Sequence, residues 1–199
     1  MAFPEGGAVM TSALGFTAGE PPAWNVELFL HGDEADTALI TLERNRLTFA
    51  WKCSEVDARG MALRLGPSAV TLGGLLKHLA WVEEIYFQNR LYGRPSMAPF
   101  DALDIEADWD DWPWRTAADD TPDALRELWT ETVHRSRAAL AEALATGGLD
   151  QQTQEGMNLR RLLVDMIEEY ARHTGHADLL REAVDGATGE GAPDDFPVP

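Results

Sequence analysis

Residues 158–186 read NLRRLLVDMIEEYARHTGHADLLREAVDG, and the spacing of their apolar side chains sets the fold class. Leu159, Leu162, Leu163, Met166, Ile167, Tyr170, Leu179 and Leu180 recur at helical steps, and Gly186 is suited to end the run. The stretch therefore predicts one helix from about Asn158 to Asp185. Working outward, Thr121-Pro122-Asp123 opens another helix, with proline placed where its missing N–H costs least. Leu125, Leu128, Trp129, Val133, Leu140 and Leu144 carry it to a stop at Gly147-Gly148. Thr71 can cap a third helix, whose apolar set is Leu72, Leu75, Leu76, Leu79, Val82, Ile85 and Tyr86 and which ends near Gly93, before Arg94-Pro95. Asp33 to Asp36 offers caps and acidic charge for a first helix, which runs through Ala38, Leu39, Leu42, Phe49, Ala50 and Cys53 to about Val56. Arg46 sits in that stripe where an apolar residue is expected, and Leu47 lies to one side of it. Four helices of roughly 20 to 28 residues, each with one apolar stripe, predict an all-α four-helix bundle.

The bundle is expected over residues 33–186. Before it, residues 1–32 are rich in Gly, Pro and Ala and read as an irregular arm with an apolar patch at Val26, Leu28, Phe29 and Leu30. After it, residues 187–199 are Gly, Pro and acid and read as a flexible tail. Between the second and third helices, Asp104 to Asp120 holds seven acidic residues and Trp109, Trp112 and Trp114 without a clean period. It reads as a long loop pinned to the bundle by its indoles, or in functional terms as a lid or aromatic wall for a ligand.

Composition narrows the function. Sixteen basic against 34 acidic residues give a net charge of −18, which excludes a general nucleic-acid or anionic-membrane surface. No apolar run approaches the ~18 residues that span a bilayer, and no Lys or Arg precedes Arg44 to form the positive region of a secretory signal. A cytoplasmic protein is expected. The single cysteine, Cys53, excludes a disulfide framework and a Cys-rich zinc module, and is expected to be a reduced, partly buried thiol. Lysine is confined to Lys52 and Lys77 while Ala, Gly and Asp abound, the coding bias of a GC-rich bacterium.

Five histidines are present: His31, His78, His134, His173 and His176. On the last helix Glu169, His173 and His176 fall within about 60° of one another, and 169 and 176 lie ~10 Å apart along the axis. That is too far for all three to grip one ion, so the pairs Glu169/His173 and His173/His176 stay open as alternatives. His78 points at or near the bundle interior, where facing helices build metal sites from carboxylates and imidazoles. Two His and one carboxylate leave positions free for water or substrate on Zn²⁺, Ni²⁺ or Fe²⁺. The bland reading is a hydrogen-bonded boundary histidine beside a solvated i,i+4 pair. His134, beside Arg135, reads as a surface residue and His31 as part of the arm.

Three segments in order resemble the DinB-like superfamily, and more narrowly an actinobacterial branch of it: Leu47-Thr-Phe-Ala-Trp-Lys-Cys-Ser54, Pro67-Ser-Ala-Val-Thr-Leu-Gly-Gly-Leu-Leu-Lys-His-Leu-Ala-Trp-Val-Glu83, and Met166-Ile-Glu-Glu-Tyr-Ala-Arg-His-Thr-Gly-His-Ala-Asp-Leu-Leu-Arg-Glu182. The resemblance covers roughly residues 34–186. It implies up-down-down-up wiring and one divalent metal, zinc or nickel, in a cleft between helices. The matching ligand positions are His78, Glu169 and His173, the pattern of the related mycothiol-dependent maleylpyruvate isomerase, with His176 as a neighbouring residue or rival ligand. It further implies transfer or isomerisation of a small electrophile with a low-molecular-weight thiol such as mycothiol as cosubstrate, in a monomer or homodimer. The alternative class is a non-catalytic ligand-binding or stress-response bundle.

Overall fold

The computed structural model describes residues 30–193 and 195–197, so residues 1–29 of the expected arm, with Val26, Leu28 and Phe29 of its apolar patch, lie outside the described residues. Four long helices share one core: α1 (Glu34–Cys53), α2 (Leu72–Glu83), α3 (Pro122–Thr146) and α4 (Leu159–Asp185). α1 packs chiefly on α4, and α2 on α3. Among the described residues no strand forms, and no helix is long and apolar enough to cross a membrane.

Each long helix begins where local chemistry allows. The side chains of Asp33, Thr71, Thr121 and Asn158 accept from the backbone N–H groups of Asp36, Gly74, Ala124 and Arg161 at 2.9–3.2 Å. Those bonds satisfy donors that have no partner inside a first turn. At the far end of α4, Gly186 takes φ of 80°, a left-handed conformation that glycine adopts without a Cβ penalty, and its N–H returns to Glu182 O. α1 stops at Cys53, short of the expected Val56. Ser54 Oγ donates to Trp51 O, Glu55 turns left-handed, and Asp57 caps a separate short helix, Ala58–Met61.

The expected stripes hold for most of the core. Leu159, Leu162, Leu163, Met166 and Tyr170 of α4 are fully buried, each aliphatic one contributing about 1.5–3 kcal/mol. Leu179, read as part of that stripe, is 60% exposed; its neighbour Arg181 is buried instead. Arg181 Nη1 donates to the carbonyls of Trp51, Lys52 and Ser54, so it covers the C-terminal end of α1.

Two features depart from the single-stripe picture. α2 is buried on every side, because the 105–120 connection covers its outer face. That connection is not one loop: it folds into short helices at Ile105–Asp108, Trp112–Thr116 and Ala117–Asp119. Lys77 fastens it to α2, donating to Thr116 O and Oγ1, pairing with Asp120, and lying 4.5 Å from the centre of the Trp112 ring. Beyond Glu83, α2 runs on as a π-helical stretch, Glu84–Arg90. The adjacent Glu83 and Glu84 are both fully buried, and they serve different partners.

Arg46, the interruption in the α1 stripe, is completely buried in a network that joins all four helices. Its Nε and Nη2 donate to the two carboxylate oxygens of Glu83 at 2.8 and 2.6 Å, and its Nη1 to Glu43 at 2.6 Å. Arg137 of α3 closes on Glu43 at 2.7 Å. Tyr170 of α4 donates to Glu83 at 2.6 Å and accepts from Trp129 Nε1 at 2.9 Å. Burial works against the Glu43 charge, yet Arg46 and Arg137 hold its carboxyl below the usual range.

The expected tail also meets the bundle. Gly189 lies against the Trp51 ring, and Phe196 and Pro197 line a cavity with Cys53 and Trp129.

Candidate metal centre

His78 lies in the middle of α2, and its ring faces one turn of α4. Glu169 Oε2 is 3.1 Å from His173 Nε2 and 3.8 Å from His78 Nε2, and the rings of His78 and His173 are 4.6 Å apart. One donor atom from each of the three lies within 4.8 Å of the others. The i,i+4 spacing places Glu169 directly beneath His173, and α2 supplies the third side chain.

The neighbours of these groups differ in kind. Among the described residues both ring nitrogens of His78 are buried with no hydrogen-bond partner, since 3.8 Å is beyond hydrogen-bond reach. An imidazole left so is costly unless something binds it. Glu169 is one-third exposed, and its carboxyl is held well below the ordinary range, first by the hydrogen bond with His173 and then by His78. His173 is nearly buried, and its Nδ1 lies 3.3 Å from Nδ1 of the exposed His176. Burial, with the nearby His173, lowers the His176 pKa. Two imidazoles, one of them with orphaned buried nitrogens, and an ionised carboxylate form a donor set that fits a divalent transition ion.

Indole rings wall the His78 side. Trp114 stacks on the His78 ring at 5.4 Å with 27° between planes, and Trp109 meets its edge at 5.5 Å. Trp112 packs deeper, against Trp81 and Phe100. Within the tryptophan segment Trp112 therefore anchors, as expected of a pinned connection, while Trp109 and Trp114 pack beside His78. Gly74 permits this, because a Cβ there would stand 2.5 Å from Trp114 Cε3.

The remaining candidates fall elsewhere. His134 and His31 are exposed. Cys53 is fully rather than partly buried, and burial pushes its thiol up to about 12. The polar network around Arg46 escaped the sequence reading, and its one sequence signal was a charged residue inside an apolar stripe.

No curated protein and no solved structure matches the chain significantly. The sequence profile of the mycothiol-S-transferase family does match, over residues 38–186, a span that contains α2, the tryptophan segment, α3, α4 and nearly all of α1. With three-quarters of its length inside that match, the chain belongs to the mycothiol-S-transferase family, within the DinB-like superfamily.

Proposed function

We propose that this chain is a metal-dependent S-transferase or isomerase that uses mycothiol as cosubstrate on small electrophiles. The observation that carries the reading is the convergence of His78, Glu169 and His173 on one point, with the His78 imidazole buried and unpartnered. We assign these three as the ligands of one divalent ion, zinc or nickel. When bound, such an ion supplies the positive charge that makes a thiol ionise at neutral pH.

The chain's own residues do the rest. His176 engages the Nδ1 of His173, opposite the Nε2 that faces Glu169, and so orients the ring. This favours Glu169/His173 over His173/His176 as the ligand pair. Trp109 and Trp114 keep water from the His78 side, while the exposed edge of Glu169 leaves the opposite side open to a thiol and its acceptor. Cys53 takes no part: a fully buried thiol with a pKa pushed to about 12 is neither accessible nor ionised at neutral pH. The nucleophilic sulfur therefore comes from outside the chain.

The test is spectroscopic. Cobalt-loaded protein should develop a sulfur-to-cobalt charge-transfer band when mycothiol is added, and a His173→Ala protein should not. If no low-molecular-weight thiol perturbs the cobalt spectrum at millimolar concentration, the transferase reading gives way to a non-catalytic ligand-binding bundle.

A further inference from the structure

His78 owes its position to its neighbours, because among the described residues its ring makes no hydrogen bond. Trp114 stacks on its face, Trp109 meets its edge, and His173 approaches from α4. Trp109 and Trp114 both belong to the tryptophan segment. What holds that segment over α2 therefore holds the imidazole.

Gly74, Lys77 and His78 stand at i, i+3 and i+4, so they share one face of α2. The short helix Trp112–Thr116 lies on that face, and the Trp114 ring fills the space that a side chain at position 74 would take. On either side of Trp114 this helix is tied down by different means. At its start, Trp112 packs against Trp81 and Phe100. At its end, Lys77 Nζ donates to Thr116 O at 3.2 Å and to Thr116 Oγ1 at 2.8 Å, and it pairs with Asp120 just beyond. An ammonium has three N–H donors, and three acceptors meet this one. Lysine is almost never buried without such partners, and Lys77 is only 6% exposed.

We propose that Lys77 is a positioning residue for the metal site: by holding the Thr116 end of the tryptophan segment, it keeps Trp114 and Trp109 against the His78 ring and so sets where the ring nitrogens point. The inference rests on the reading of His78, Glu169 and His173 as ligands. Lys77 acts through the indoles and not through its charge, which Asp120 balances. The two routes have opposite signs. Removing a cation from beside a dication site relieves repulsion and strengthens metal binding, whereas releasing the indoles frees the imidazole and weakens it.

The experiment reads the ring and the metal separately in the full chain. In the metal-free protein the proton resonances of the His78 ring are assigned by their loss in His78→Gln. Stacked on an indole, they should be displaced by its ring current; Lys77→Met should return them toward the free-imidazole position, and Lys77→Arg should return them only slightly. Methionine keeps the packing of the aliphatic stem, and Thr116 and Asp120, each only half-buried, can turn to water once released. Zinc affinity, from competition with a chromophoric chelator, should fall about tenfold or more in Lys77→Met and about threefold or less in Lys77→Arg, the first being the usual cost of removing a group that orients a ligand. Unmoved resonances in a folded Lys77→Met chain, or a zinc affinity that is unchanged or higher, overturn the proposal. If Lys77→Met does not fold, Thr116→Val decides: by removing one acceptor it should move the same resonances in the same direction by less, and unmoved resonances overturn the proposal. If the wild-type chain binds no zinc, the metal reading falls, and the resonances alone decide whether Lys77 positions His78.

Discussion

Replacing Arg46 by methionine tests whether the buried network holds α2 and α4 together. The network carries two arginines, Arg46 and Arg137, against two glutamates, Glu43 and Glu83, and all are at most 4% exposed. Removing Arg46 leaves one net negative charge in the core. Glu43 keeps Arg137, but Glu83 loses both guanidinium bonds and keeps only the Tyr170 hydroxyl. Breaking a buried pair by taking away one partner costs about 3–5 kcal/mol, because the remaining charge has no compensation. For a chain of this length that corresponds to a melting-temperature loss on the order of 10 °C. Urea unfolding read by circular dichroism gives the difference directly. Adding Glu83→Gln to Arg46→Met restores the charge balance while leaving an oxygen to accept from Tyr170. The double variant should therefore be more stable than the single. A single-variant loss below about 1 kcal/mol, or a double variant less stable than the single, would refute the reasoning.

Three other outcomes follow from the same structure. Glu169→Gln should weaken metal binding by tenfold or more, and His176→Gln by much less, because only the first removes ligand charge; competition with a chromophoric chelator measures both, and the reverse order would favour His173/His176 as the ligand pair. Gly74→Ala should cost about 1–3 kcal/mol by driving Trp114 off the His78 ring, seen as a changed tryptophan spectrum; an unaltered spectrum and stability would show that the contact is slack. Cys53 titrates near its ordinary value of 9 when unfolded and at about 12 when folded, so the unfolded state releases its proton first as pH rises. Stability should then fall by about 1.4 kcal/mol per unit above pH 9 from this group, a slope missing in Cys53→Ala, and the folded thiol should resist alkylation at pH 8.

What could be read from the sequence was what local chemistry decides. The caps at Asp33, Thr71, Thr121 and Asn158 and the stop at Gly186 depend on a few adjacent residues, and all were legible. Glu169 and His173 were legible as a pair, because one turn of one helix relates them. His78 is 91 positions before Glu169, and only the family resemblance joined them. Arg46 was noticed as an irregularity, yet its meaning lay in Glu83, 37 residues on, and beyond it Arg137 of α3. The complete burial of α2 was hidden for the same reason. Its cover is an acidic, aperiodic segment whose indoles gave no period to follow.

The network and the proposed metal site are two faces of one helix contact. On α4, Glu169 and Tyr170 are consecutive, so their side chains diverge by about 100°: one faces the cleft and the other the core. On α2, His78 and Glu83 are separated by little more than one turn and diverge in the same sense. The 2.6 Å bond from Tyr170 to Glu83 therefore links the two helices close to Glu169 and His78. His78 has no hydrogen bond of its own to hold it, so its ring is placed by the Trp109 and Trp114 contacts and by the helix beneath. A site ordered in this way before any ion arrives spends less binding energy on ordering. Loosening the core at Arg46 should then weaken metal binding as well as stability, although Arg46 touches none of the three ligands. If Arg46→Met lowers the melting temperature and leaves metal affinity unchanged, the spacing of α2 and α4 is fixed by the indole wall instead.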